Sequence, residues 1–68
     1  MEFELGPSHY IELIRLLKAT NVAESGAQAK QMVEEGLVEV DGEAEFRKRA
    51  KIRSGQTVKI FDMTITIK

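Results

Sequence analysis

The chain opens with a strict alternation. Met1, Phe3 and Leu5 are apolar, Glu2 and Glu4 are acidic, and a period of two predicts a half-buried strand over Met1–Leu5. Gly6-Pro7 breaks it. The period then lengthens. Tyr10, Leu13, Ile14 and Leu17 recur at i, i+3, i+4 and i+7, which predicts one apolar face of a first helix capped by Ser8 and ending near Asn21. A second helix follows from Ser25. Ser25 with Gln28 three residues later is a capping-box pattern, Ala29, Met32 and Val33 form the stripe, and Gly36 suits a left-handed C-cap. From Leu37 the period returns to two. Val38 and Val40 flank Glu39, and Asp41-Gly42 is a type I′ hairpin signal leading back through Glu43–Phe46. After a Ser54-Gly55 turn, Thr57–Phe61 and Thr64–Lys68 alternate again. Val58, Ile60, Ile65 and Ile67 are their core positions, and a tight turn lies near Asp62-Met63. The expected fold class is α+β: two short packed helices against a small, mainly antiparallel sheet.

Size narrows the architecture. Sixty-eight residues make one domain, 1–68, near the lower limit for a self-sufficient core. With no cysteine, disulfide staples and thiolate metal sites are excluded. No apolar run reaches the roughly 20 residues that a bilayer crossing needs. The N-terminal stretch has acids and no basic residue, unlike a secretory signal, so the expected location is the cytoplasm.

Charge changes the picture more than composition does. The net charge is only -1, yet residues 1–46 hold three basic against ten acidic residues, a balance of -7. Residues 47–68 hold seven basic against one acidic, a balance of +6. Such a division predicts a polarised surface.

Catalysis finds little support. His9 is the one histidine, the carboxylates lie on polar faces, and the five glycines are scattered without a phosphate-loop spacing. No metal-ligand spacing is present, and no cofactor is expected. The densest chemistry is Arg47-Lys48-Arg49-Ala50-Lys51 with Arg53 close behind. These side chains suit backbone phosphates, since each contact releases counterions and arginine donates two hydrogen bonds at once. The plainer reading is a solvated charged run. Its place beside a hairpin, and the lack of an acid inside it, favour a binding surface that local pairing does not neutralise. A third feature is the start of the second helix. Ser25, Gly26 and Ala27 offer N–H groups at the positive end of the helix dipole, with Gln28 and Lys30 in reach. Those groups also have a purely structural use as a cap.

The run Ser25-Gly26-Ala27-Gln28-Ala29-Lys30, followed by Met32-Val33-Glu34-Glu35-Gly36-Leu37-Val38-Glu39-Val40-Asp41-Gly42, resembles the RNA-binding domain named after ribosomal small-subunit protein S4. The likeness extends through Ile52, Gly55 and Gln56-Thr57-Val58, covering about residues 10–60. The Glu24–Lys30 stretch and Arg47–Ile52 are similar to the small stand-alone bacterial branch of YbcJ-like proteins. The resemblance implies an αL RNA-binding motif, with RNA across helix two and the hairpin region. On matching positions, Ser25, Gln28 and Lys30 would face RNA from the helix, and Arg47, Lys48, Arg49 and Lys51 from beyond the hairpin. Many family members carry arginine where this chain has Gly26, which leaves backbone amides at that point.

The expected function is therefore RNA binding, with structured RNA such as ribosomal RNA as partner and the protein a monomer. The site residues are Ser25, Gly26, Gln28, Lys30, Arg47, Lys48, Arg49, Lys51 and Arg53. Base stacking is not expected as the main mode, because no two of Phe3, Tyr10, Phe46 and Phe61 are adjacent in sequence. The competing reading is a protein-interaction module, docking through a charged face or through a strand edge at Met1–Leu5 or Thr64–Lys68.

Overall fold

Two helices cover one face of a five-stranded sheet, and a separate two-stranded ribbon closes the end of the first helix. The computed structural model describes all 68 residues. The elements run β1 (Glu2–Phe3), β2 (Ile11–Glu12), α1 (Leu13–Ala19), α2 (Gly26–Glu34), β3 (Val38–Val40), β4 (Glu43–Ala44), β5 (Lys51–Ile52), β6 (Thr57–Ile60) and β7 (Met63–Ile67). The main sheet has the order β1-β7-β6-β3-β4, and β2 pairs with β5 on its own. Only β1 with β7 is parallel; the other pairings are antiparallel. This agrees with the α+β class expected.

The alternation over the last two strands works as anticipated. Val58, Ile60, Ile65 and Ile67 are fully buried, together with Val38, under Ala29 and Val33 of α2 and Leu13, Leu16 and Leu17 of α1. Burying such aliphatic side chains contributes about 1.5–3 kcal/mol each, and these residues carry the stability of so small a chain. Met32, Ile14 and Val40 are only partly buried and pack around this core.

Helix one differs from expectation. It begins at Leu13, with Glu12 and not Ser8 as N-cap, and Tyr10 lies outside it. The reason is a tertiary partner. Ile11 and Glu12 are drawn into an extended ribbon against Ile52 and Lys51. The first helical N–H groups then find acceptors elsewhere in the chain: Leu13 N–H donates to the Ala50 carbonyl at 2.9 Å and Ile14 N–H to the Lys48 carbonyl at 3.1 Å. With donors satisfied this way, a serine cap is unnecessary. The buried face shifts to Leu13, Leu16 and Leu17, and Tyr10 is left 40% exposed.

The other local signals hold. Asn21 takes a left-handed conformation just past helix one, with φ 62°. Helix two ends in a Schellman motif: Gly36 has φ 75°, its N–H bonds the Val33 carbonyl, and Leu37 N–H bonds the Met32 carbonyl. Asp41 and Gly42 both have positive φ, 53° and 87°, as a type I′ turn requires. The strand edges differ from one expectation. β7 lies between β1 and β6, so Thr64–Lys68 offers no free edge.

Candidate nucleic-acid interface

The second half of the basic segment is held in place because it alternates anchors with charges, after an exposed turn at Lys48-Arg49. Ala50 and Ile52 are buried at 6% and 1% exposure, while Arg49, Lys51 and Arg53 between and beyond them are exposed. Alternation of this kind sends the charged side chains to one side. The backbone is pinned twice, through the β2–β5 pairing and through the Lys48 and Ala50 carbonyls at the start of α1. At the far end, Gln56 accepts the Arg53 N–H at 2.7 Å and donates to Asp41 Oδ2 at 3.2 Å, tying the strip to the hairpin.

The cations of the strip fall into two groups. Arg47 forms a fork with Glu45, with Nε to Oε2 at 3.1 Å and Nη2 to Oε1 at 3.2 Å. Hydrogen bonds from the Arg47 side chain and N–H hold the Glu45 carboxyl below its ordinary value of 4.5. Arg49 reaches Glu12 at 2.9 Å, and the same carboxylate holds Arg15 at 3.5 Å. The expectation that no acid neutralises this segment is thus corrected for Arg47 and Arg49: their partners come from just before the run and from helix one's cap. Lys48, Lys51 and Arg53 have no carboxylate partner. Lys51 Nζ and the Arg53 guanidinium instead lie 5.0 Å and 5.7 Å from the centre of the Tyr10 ring. Cation–π attraction at these distances holds both heads beside one exposed aromatic without cancelling their charge.

Tyr10 also lines a groove of about 1040 Å³ between β1 and α1, whose basic lining is Arg15, Lys18 and Arg49. Tyr10, Arg15 and Lys18 were absent from the sequence-based site. The spacing of Arg15 and Lys18, three residues apart on the polar face of a helix, was the available signal. Tyr10 gave none, since its position matched a buried stripe.

The start of helix two is organised for capping. Ser25 Oγ accepts the Gln28 N–H at 3.1 Å, and Gln28 Oε1 accepts the N–H of Glu24. The side-chain half of the capping box therefore reaches one residue further out than its usual N-cap target. Gly26 faces open space: a Cβ built there would meet nothing within 4 Å. Lys30 is exposed and forms no ion pair. No hydrogen bond or ion pair joins Ser25–Lys30 to Arg47–Arg53. The strip is bonded to the first turn of α1, whereas α2 starts beyond that helix's last turn.

Residues 3–68 match the family described as the S4 domain. The chain belongs to the S4 domain family. It is 48% identical over 65 residues to YbcJ of Escherichia coli (strain K12), covering 96% of this chain and 93% of that protein. YbcJ of Shigella flexneri matches to the same extent. The solution structure of the Escherichia coli YbcJ superposes with a TM-score of 0.75 at 47% identity, over 97% of this chain and 84% of that one. That structure is described as revealing an αL motif involved in RNA-binding. In this S4 domain the helix pair of the motif is α1 with α2, and the basic strip grips the outer end of α1 by its backbone.

Proposed function

We propose that this S4 domain is an RNA-binding protein of the cytoplasm, acting as a monomer and without catalysis on structured RNA such as ribosomal RNA. The observation that carries the proposal is the strip itself. Lys48, Lys51 and Arg53 are cations without carboxylate partners on an anchored backbone, beside Arg49 and an exposed Tyr10. A preformed row of cations loses little conformational freedom on meeting phosphates, so more of each contact survives as affinity. RNA helices present phosphates and 2′-hydroxyls in fixed geometry, which such a row reads as shape.

In this reading the strip makes the main phosphate contacts. Arg15 and Lys18 extend it along α1. Ser25, Gly26, Gln28 and Lys30 form a secondary contact: the Gln28 carboxamide N–H groups and the Lys30 ammonium remain to donate, and Gly26 lets a phosphate near the backbone. Arg47 contributes in proportion to its release from Glu45. Titration against a fluorescent RNA stem–loop and a matched single strand tests the proposal. The stem–loop should bind tighter, and a variant with Lys48, Arg49, Lys51 and Arg53 all changed to Gln should lose that binding. Equal binding of both RNAs by the wild type and the variant would refute it.

A further inference from the structure

Three of the largest exposed apolar side chains belong to the same end of the sheet, the end away from the Asp41-Gly42 hairpin. Leu37 is 41% exposed, Phe46 60% and Phe61 62%. They are remote in sequence, and the strand register brings them level. Val38 pairs with Ile60, and Glu45 N–H bonds the Val38 carbonyl at 2.9 Å. One step further along, Leu37 lies level with Phe61 on one side and Phe46 on the other. The Phe46 ring also lies across Gly36, 3.0 Å from where a Cβ would stand. Phe61 holds φ at 55°, a left-handed conformation that a bulky aromatic adopts at a cost. As the first residue of the two-residue turn joining Ile60 to Met63, Phe61 takes the positive φ that such a hairpin turn requires, with its ring left in water.

The surroundings of this row are acidic. Glu34 and Glu35 end helix two beside Gly36 and Leu37, Asp62 follows Phe61, and Glu45 precedes Phe46. The nearest cations are occupied or opposed: Arg47 is forked to Glu45, and Lys59 is level with Glu39. Phosphates would be repelled here, which sets the row apart from the basic strip. A second copy would bring the same acids against these ones in a symmetric contact, which argues against self-association.

We propose that the Phe46–Leu37–Phe61 row is a docking surface for a lysine- or arginine-rich segment of another protein that carries large apolar side chains. The apolar side chains cover the row and the cations meet Glu34, Glu35 and Asp62. Exposed aromatics with a charged rim are the usual composition of such contacts. This site stands independently of RNA binding and goes beyond it.

The test uses the ¹⁵N-labelled full chain and a short lysine-rich peptide carrying two leucines, with a second peptide in which serine replaces both. The leucine peptide should shift amide signals at Glu35–Val38, Glu45–Arg47 and Ile60–Met63, and the serine peptide should bind about tenfold more weakly. Phe61→Asn suits the left-handed position, so the fold should persist with an unchanged or higher Tm while peptide affinity falls about tenfold. Shifts confined to residues 47–53, equal binding of the two peptides, or full binding by Phe61→Asn would each overturn the proposal. So would an absence of binding. Concentration-dependent shifts of the row without peptide would assign it to a second copy, and shifts of the row by an RNA stem–loop would assign it to RNA; both contradict the proposal.

Discussion

The strip at 47–53 and the start of helix two carry the same kind of signal in sequence, polar groups suited to phosphate, yet the fold treats them in opposite ways. At helix two the fold uses the groups: Ser25 and Gln28 accept backbone N–H donors and so complete a helix end. At the strip the fold uses the backbone, the apolar anchors Ala50 and Ile52 and the ion pairs of Arg47 and Arg49, and leaves the other three cations without acidic partners. The lesson is that a binding surface is recognised by what the fold leaves unspent. A polar residue that satisfies its neighbour has less to offer a ligand.

The largest effect should come from the strip. Changing Lys48, Arg49, Lys51 and Arg53 together to Gln should weaken stem–loop affinity on the order of a hundredfold at low salt, measured by fluorescence anisotropy. Tyr10 should matter next. Tyr10→Ala removes the ring that holds Lys51 and Arg53 and should cost about tenfold, with Tyr10→Phe close to wild type; base or cation stacking accounts for a loss of that size. Gly26→Arg probes the other region. Its Cβ has open space, so the fold should be kept, and affinity should rise about threefold if helix two's start faces RNA. No gain would confine the interface to the strip and α1.

Glu45→Gln should act more gently, releasing Arg47 and tightening RNA binding about twofold by the same titration. The pH dependence has a definite sign. Arg47 holds the folded-state carboxyl of Glu45 below 4.5, so the stabilisation from this pair is present above pH 4.5 and is lost as pH falls through the lowered value. Acid titration of the wild type and Glu45→Gln, followed by Tm, should therefore converge toward low pH. The smallest effect on RNA belongs to Ser25→Ala. It should cost about 1 kcal/mol of stability through the lost cap while shifting RNA affinity less than twofold. A large affinity loss at unchanged stability would reverse the contrast between the two regions.

Local periodicity made most of the fold legible. The hairpin at Asp41-Gly42, the Gly36 C-cap and the buried faces of β6 and β7 all follow from residues close in sequence. The beginning of helix one was not legible, because Ile11 and Glu12 answer to Lys51 and Ile52, forty residues away, and no local pattern records that pairing. The same cause hid Tyr10. It fitted a helical stripe, and only the ribbon puts it on the surface beside Lys51 and Arg53. The ion pairs of Arg47 and Arg49 illustrate a further limit. Glu45 is two residues from Arg47 and was visible, but Glu12 meets Arg49 only through the fold.

The salt dependence of stem–loop binding tests the central claim most directly. For the wild type, log K should fall linearly with log salt, and the four-glutamine variant should show a slope shallower by about 3, since each lost phosphate contact removes about 0.7–0.9. A slope unchanged in the variant would mean that these four cations do not touch phosphate, and that the strip is a solvated surface.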